Sequence, residues 1–215
     1  MRNSTKTEAA GPPRPRGRPR KFDEAVVLGA ALERFRTHGF AATSLDDLAE
    51  ATGVNRPSLY ATFGDKKSLY LAALAQIKAS IERRFDALIA ADYPMEKMLK
   101  ALFIGTIEGY LTGETGPSGC IAINTAATEA VTDPDIRAAL AGFLAVEDEK
   151  IEILLRQAGS PAPRAHARIL ASMLHSLSVR ARAGEPREAL IALAKDASAL
   201  VAGVPQRDGR GREAG

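Results

Sequence analysis

Asn55, Arg56, Ser58 and Thr62 fall within eight consecutive residues and carry amide, guanidinium and hydroxyl groups of the size that reaches base edges or phosphates of a duplex. Such groups act together only if a rigid element presents them on one face. The neighbouring residues supply that element. Thr43 and Ser44, followed by Asp46 and Asp47, form a hydroxyl cap with acids in the first turn, a strong start for a short helix over Leu45–Thr52. Gly53 ends that helix, and Asn55 or Arg56 opens a second one that runs to about Phe63. Ala49 is small enough for the two helices to approach closely, Gly53 allows the turn, and Val54 plugs the gap behind it. Leu48 and Leu59 point inward and set the crossing. Small, turn and apolar residues at these offsets are what a helix-turn-helix requires. The competing reading is an ordinary helical hairpin with a polar outer face.

The elements that must hold this unit are also helical. Asp23 offers a cap to a first helix carrying Val27, Leu28, Ala31, Leu32 and Phe35, closed by His38-Gly39, where glycine suits a left-handed residue. Gly64-Asp65 separates the second short helix from a long one, marked by Tyr70, Leu74, Ile77, Ile81, Phe85 and Leu88 and stopped by Tyr93-Pro94. At 1.5 Å per residue it spans roughly 35–40 Å, enough to join two domains rigidly. Further helices follow from Met95 to about Thr112, from Cys120 to Ala130, from the Asp133-Pro134 cap to near Gly159, and as a final pair over 163–183 and 186–201. Residues 113–119 (GETGPSG) form a loop. No segment alternates as a strand. The fold class is therefore all-α, with a basic arm over residues 1–21, a DNA-binding unit over 22–68, a larger helical domain over 69–203 and a tail over 204–215.

Charge is unevenly placed. The chain has 215 residues and a net charge of +3, but residues 1–21 alone carry seven basic residues and one acid. A basic arm on a mildly acidic body points to a polyanion, although a solvated charged tail has the same composition. Within it Arg16, Arg18 and Arg20 stand in the run RGRPRK, which resembles an AT-hook core. Either it lies extended in a narrow minor groove, or it binds phosphates without preference. A single cysteine excludes an internal disulfide. The start of the chain is basic and proline-rich with no apolar stretch behind it, so a cytoplasmic protein without membrane span is expected.

The stretch from Arg34 to Tyr70, with GFAATSLDDLAEATGVNRPSLYATFGDKKSLY at its centre, resembles the DNA-binding domain of the TetR family of repressors. It combines Gly39-Phe40, Thr43-Ser44, Leu48-Ala49, Gly53-Val54, Ser58-Leu59-Tyr60, Phe63, Asp65-Lys66 and Leu69 in one frame. The resemblance covers residues 22–75 well, and it implies roles. Thr43 or Ser44 would bond a phosphate at a helix N-terminus. Asn55, Arg56 and Ser58 would enter the major groove, with Arg56 on a guanine. Tyr60, Thr62, Lys66 and Lys67 would hold phosphates at its edge. Many relatives carry glycine where this chain has Pro57, which fits a first helical turn but pushes Arg56 away from helical geometry.

Residues 95–203 show no phosphate loop, paired-histidine metal motif or nucleophile elbow, so neither catalysis nor a cofactor or metal is expected. The resemblance implies a small-molecule effector enclosed by these helices, with Tyr110, Cys120, Asn124, Thr125, Glu129 and His175 as candidate wall residues. Cys120 has two readings: a reactive thiol in a first helical turn, with lowered pKa, or a small buried packing residue. The last two helices are more apolar than one small domain needs, and in the family such a pair packs against its twin. A homodimer on a palindromic double-stranded operator is expected. Two other functions fit the sequence less fully: an architectural protein of A·T-rich DNA without effector, and a helical enzyme with an incidental basic tail.

Overall fold

Each helix that could present the polar face begins at a capping residue already visible in the sequence. In the computed structural model, which describes residues 22–203, Asp23 accepts from the Ala25 amide and starts α1 (Glu24–His38). Ser44 and Asp47 cap one another reciprocally at the head of α2 (Leu45–Thr52). Asn55 accepts from the Ser58 amide at the head of α3 (Arg56–Phe63), and Asp65 does so from Ser68 at the head of α4 (Lys66–Ala91). Each cap satisfies an amide that the first helical turn leaves without a partner. Arg16, Arg18, Arg20 and the tail lie outside the described residues.

Gly53 sits in the left-handed region (φ 66°, ψ 14°), so the chain reverses within one residue between α2 and α3. Gly39 also has positive φ, but its ψ of 165° lies outside the expected left-handed region: the chain leaves α1 extended instead of curling under it. Pro57 occupies the first turn of α3, and the helix nevertheless begins at Arg56. The expected displacement of Arg56 is absent, because the Asn55 cap fixes this turn from its N-terminal side.

The larger domain holds α5 (Met95–Leu111), a π-helical turn Ala122–Ala126 leading into α6 (Ala127–Glu129), α7 (Pro134–Gln157), α8 (Pro163–Arg182) and α9 (Arg187–Ala202). Among the described residues there is no strand. The hydrophobic interior divides in two. Val27, Phe35, Leu48, Val54, Leu59 and Tyr70 fill one part, around α1 to α4. Phe85, Leu102, Phe103, Phe143, Leu154 and Leu174 fill the other.

The segment expected as one α-helix over 120–130 is where these interiors meet. Its π-helical turn carries more residues per turn than an α-helix, a form often found at functional positions. Ile121, Ala126 and Ala130 pack into the DNA-binding interior, whereas Cys120 and Ala122 pack into the larger one. The long helix α4 spans both, about 39 Å at 1.5 Å per residue, and ends at Ala91 with Asp92 in the left-handed region (φ 44°), one residue before the expected Tyr93-Pro94 stop.

Candidate nucleic-acid interface

Leu48 and Leu59 are fully buried between α2 and α3, with Val54 behind them. The Thr52 hydroxyl donates to the Leu48 carbonyl and accepts from the Val54 amide, stitching the turn. With its apolar side so occupied, α3 turns its other side outward. Asn55, Arg56 and Tyr60 are exposed, and Ser58 and Thr62 are half-buried beside them. The Asn55 side-chain oxygen serves as the cap, which leaves its amide nitrogen as a donor. Arg56 forms an ion pair with Asp46 of α2, and both side chains remain largely in solvent.

The helix that carries α3 is locked by aromatic contact. Tyr70 stands edge-on to Phe35 at 4.9 Å, and Phe40 packs beside both rings, 4.9 Å from Tyr70 and 6.0 Å from Phe35. The Lys66 ammonium lies 4.3 Å from the centre of the Phe40 ring and donates to the carbonyls of Phe40 and Thr43, both at 3.0 Å. Lys66 thus ties the loop before α2 to the start of α4, and its donors are directed inward, not toward a phosphate. Thr43 is also inward: it is 1% exposed and its hydroxyl donates to the Gly39 carbonyl. Of the Thr43/Ser44 pair, only Ser44 is at the surface.

Lys67 is directed away from α3. Its ammonium pairs with Asp133, at 3.1 Å, and Asp135, at 2.6 Å, the residues that begin α7. These two carboxylates raise the lysine's pKa. Sequence spacing gave no sign of this bridge, because its partners are more than sixty residues away.

Three further contacts join the domains. The Thr125 hydroxyl donates to the Ile121 carbonyl, so the bond of 2.7 Å between it and Tyr70 is donated by the buried Tyr70 phenol. Arg36, in the last turn of α1, donates to the Thr112 carbonyl at 2.6 Å, beyond the end of α5. Arg182 of α8 donates to the Arg36 carbonyl at 2.8 Å. Each arginine therefore supplies donors to carbonyls at the end of another helix, where none is available from within the helix.

The candidate wall residues of the larger domain are dispersed. Tyr110 is buried beside a cleft between α4, α5 and α7. Cys120 is buried, its amide donating to the Ser178 hydroxyl. Burial pushes its thiol up to about 11, so desolvation overrides the lowering expected from its place at a helix start. Asn124 is engaged by the Ser118 carbonyl and the Ser178 hydroxyl. Thr125 belongs to the interdomain bond with Tyr70, whose phenol is pushed up to about 12 by burial, with the half-buried Glu129 adding to the rise. His175 meets Glu147 of α7 at 2.5 Å. Glu147 is 4% exposed and was not among the expected residues. It stands four residues after Phe143 and four before Ile151, so helical spacing alone would have placed it on the buried face.

Two short helices crossing at a glycine turn, the second uncovered and polar, define a helix-turn-helix DNA-binding unit; the long α4 joins it to a separate helical body. The family model described as bacterial regulatory proteins, tetR family, matches residues 27–73. The HTH-type transcriptional repressor ComR of Escherichia coli K12 is 32% identical over 186 residues, covering 83% of this chain and 89% of its own. The repressor BdcR of the same organism is 25% identical over 178 residues, covering 83% and 88%. The chain belongs to the tetR family. Its fold matches that of a cysteine mutant of the TetR family transcriptional regulator CifR, complexed with 26bp double-strand operator DNA, with a TM-score of 0.71, 27% identity and coverage of 84% of this chain and 98% of that one.

Proposed function

We propose that this protein is a transcriptional repressor that binds a palindromic operator as a two-fold dimer and leaves it when a small molecule occupies the larger domain. The observation that carries this reading is the outer face of α3, where Asn55, Arg56 and Tyr60 are exposed and no other part of the described chain covers them. Arg56 suits a guanine, since its fork matches O6 and N7. Asn55, Ser58, Tyr60 and Thr62 surround it, and a phosphate at the head of α2 would take over the Ser44 donors that Asp47 holds here. The arm arginines Arg16, Arg18 and Arg20 add a salt-sensitive hold on the flanking duplex, in the minor groove or along the phosphates. ComR and BdcR are named repressors, and CifR has been seen on operator DNA; both facts favour the same role here, in the cytoplasm and without catalysis.

Dimerisation is read from α8 and α9. Ile169, Val179 and Leu200 are 50–71% exposed there, an apolar surface that a second copy would cover. Release is read from α4. Lys67 and Tyr70 couple its first turns to α7 and to the π-helical turn. A ligand that favours a different setting of α7 changes the spacing of the two α3 helices, provided that it binds this second state more tightly. Capture of sheared genomic DNA by the purified protein tests the proposal. A few palindromic sites should be recovered; recovery of A·T-rich DNA without any palindrome would instead indicate an architectural role.

A further inference from the structure

α2 and α3 together carry three acids, Asp46, Asp47 and Glu50, and a single cation, Arg56. An acidic balance opposes approach to a polyanion, so the placing of each acid matters. Asp47 is turned back toward the body: it caps Ser44 and pairs with Arg34 of α1 at 3.0 Å. Glu50 is exposed and pairs with no cation among the described residues. Asp46 reaches across to the head of α3 and meets the Arg56 guanidinium through Nη2. The start of α2 does not depend on this carboxylate, since Ser44 and Asp47 complete the cap between them. Nor does the fold, because 71% of the Asp46 side chain is exposed and an ion pair so placed adds little to stability.

What the pair does change is the state of Arg56. A guanidinium carries five N–H donors in one plane, and an unrestrained one takes a phosphate as readily as a base. Contact with Asp46 at Nη2 restrains that plane, and the remaining donors have no other partner among the described residues. A guanine edge is neutral and needs two parallel donors, for O6 and N7, so it can be read with the ion pair intact. A phosphate would have to displace Asp46 or stand beside its negative charge.

We propose that Asp46 is a positioning residue for operator recognition, one that holds the Arg56 fork for a guanine edge and withholds it from the phosphate backbone. Phosphate contacts carry no direct sequence information. An acid that disfavours them at this one arginine therefore raises the ratio of specific to non-specific binding, because discrimination is a difference between two affinities and a repulsive group can set it. The proposal rests on the reading of α3 as the recognition helix and adds the residue that makes its arginine selective.

The test uses the full-length protein on a captured operator and on a duplex of equal length with both half-sites scrambled, each over a range of salt. Asp46→Asn should bind the scrambled duplex more tightly, with a salt slope steeper by about one as Arg56 takes up a phosphate. Its ratio of operator to scrambled affinity should fall about ten-fold, the order of one bidentate guanine contact. Glu50→Gln removes the same charge one turn further along α2 and should raise both affinities alike, leaving the ratio unchanged. With Arg56 replaced by alanine, Asp46→Asn should also leave the ratio unchanged, since the two substitutions then act on one interaction. Each variant should melt as wild type does; if Asp46→Asn melts lower, Asp46→Ser is measured in its place. An unchanged ratio in Asp46→Asn, an equal fall in Glu50→Gln, or a fall that persists without Arg56 would overturn the proposal. Should Arg56→Ala bind the operator as wild type does, the reading of α3 fails and the proposal with it. Should Arg56→Ala weaken operator binding while Asp46→Asn keeps its ratio, the positioning role alone fails.

Discussion

Arg182, near the end of α8, donates to the main-chain oxygen of Arg36, and Arg36 sends its own guanidinium to the main-chain oxygen of Thr112. The end of α1, in the DNA-binding unit, is in this way joined to two helices of the larger domain by charged donors. Arg36 also pairs with Glu33, whose carboxylate accepts from the Glu114 amide. Replacing Arg36 with alanine removes the charged one of the two donors to the Thr112 carbonyl, the other being the Ser118 hydroxyl. The expected loss is about 1.5 kcal/mol, the lower end for hydrogen bonds to charged groups because the site is partly wetted. Urea unfolding measures it, and a stability equal to wild type would mean that the linkage carries no energy.

Acid should loosen the DNA-binding unit through Asp47. Hydrogen bonds from the Ser44 side chain and amide, followed by that from Arg34, lower its pKa to about 2 from a usual 3.8. A carboxylate depressed by folding contributes its stabilisation above its unfolded pKa and loses it as pH falls through the folded one. Melting temperature should therefore decline between pH 4 and 2. Asp47→Asn should be less stable at neutral pH and show a flatter decline, and a parallel decline would assign the acid sensitivity to other carboxylates.

Cys120 should behave as an unreactive thiol. With its pKa pushed up to about 11 by burial, it is protonated at neutral pH, and the thiolate is the reactive form. A disulfide reagent such as dithionitrobenzoate should label it slowly in the native protein and rapidly in denaturant. Rapid native labelling at pH 7.5 would show that the interior around it opens readily.

The apolar surface of α8 and α9 should be needed for assembly. Ile169→Asp combined with Val179→Asp places charges where both side chains are about half exposed in the single chain, so the fold itself should tolerate them. Sedimentation should report a monomer with unchanged helical content and operator affinity reduced at least ten-fold. A persistent dimer would move the interface elsewhere.

The local part of this structure was legible in the sequence because it depends on neighbours. Asp23, Ser44, Asn55, Asp65 and Asp133 cap the helices expected of them, and Leu48, Val54 and Leu59 are buried in the crossing. The partners of long cationic side chains were not legible. Lys66 reaches Phe40 and Thr43, and Lys67 reaches Asp133 and Asp135; a surface lysine and a lysine bound to a distant loop have the same local sequence. The π-helical turn at Ala122–Ala126 was hidden for another reason. Its residues, AINTA, favour no particular period, and packing on two interiors decides their winding. Cys120 shows the same limit: its place near a helix start suggested a low pKa, and burial reversed it.

The reading of α3 as the element that enters the major groove is tested most directly by dimethyl sulfate protection of guanine N7 on a captured operator. Wild-type protein should shield guanines in two major-groove segments about one helical turn apart or somewhat more. Arg56→Ala should restore methylation at one guanine in each half-site and weaken binding by about 1–3 kcal/mol. Protection and affinity unaltered by the loss of Arg56 would contradict the assignment of this face to DNA.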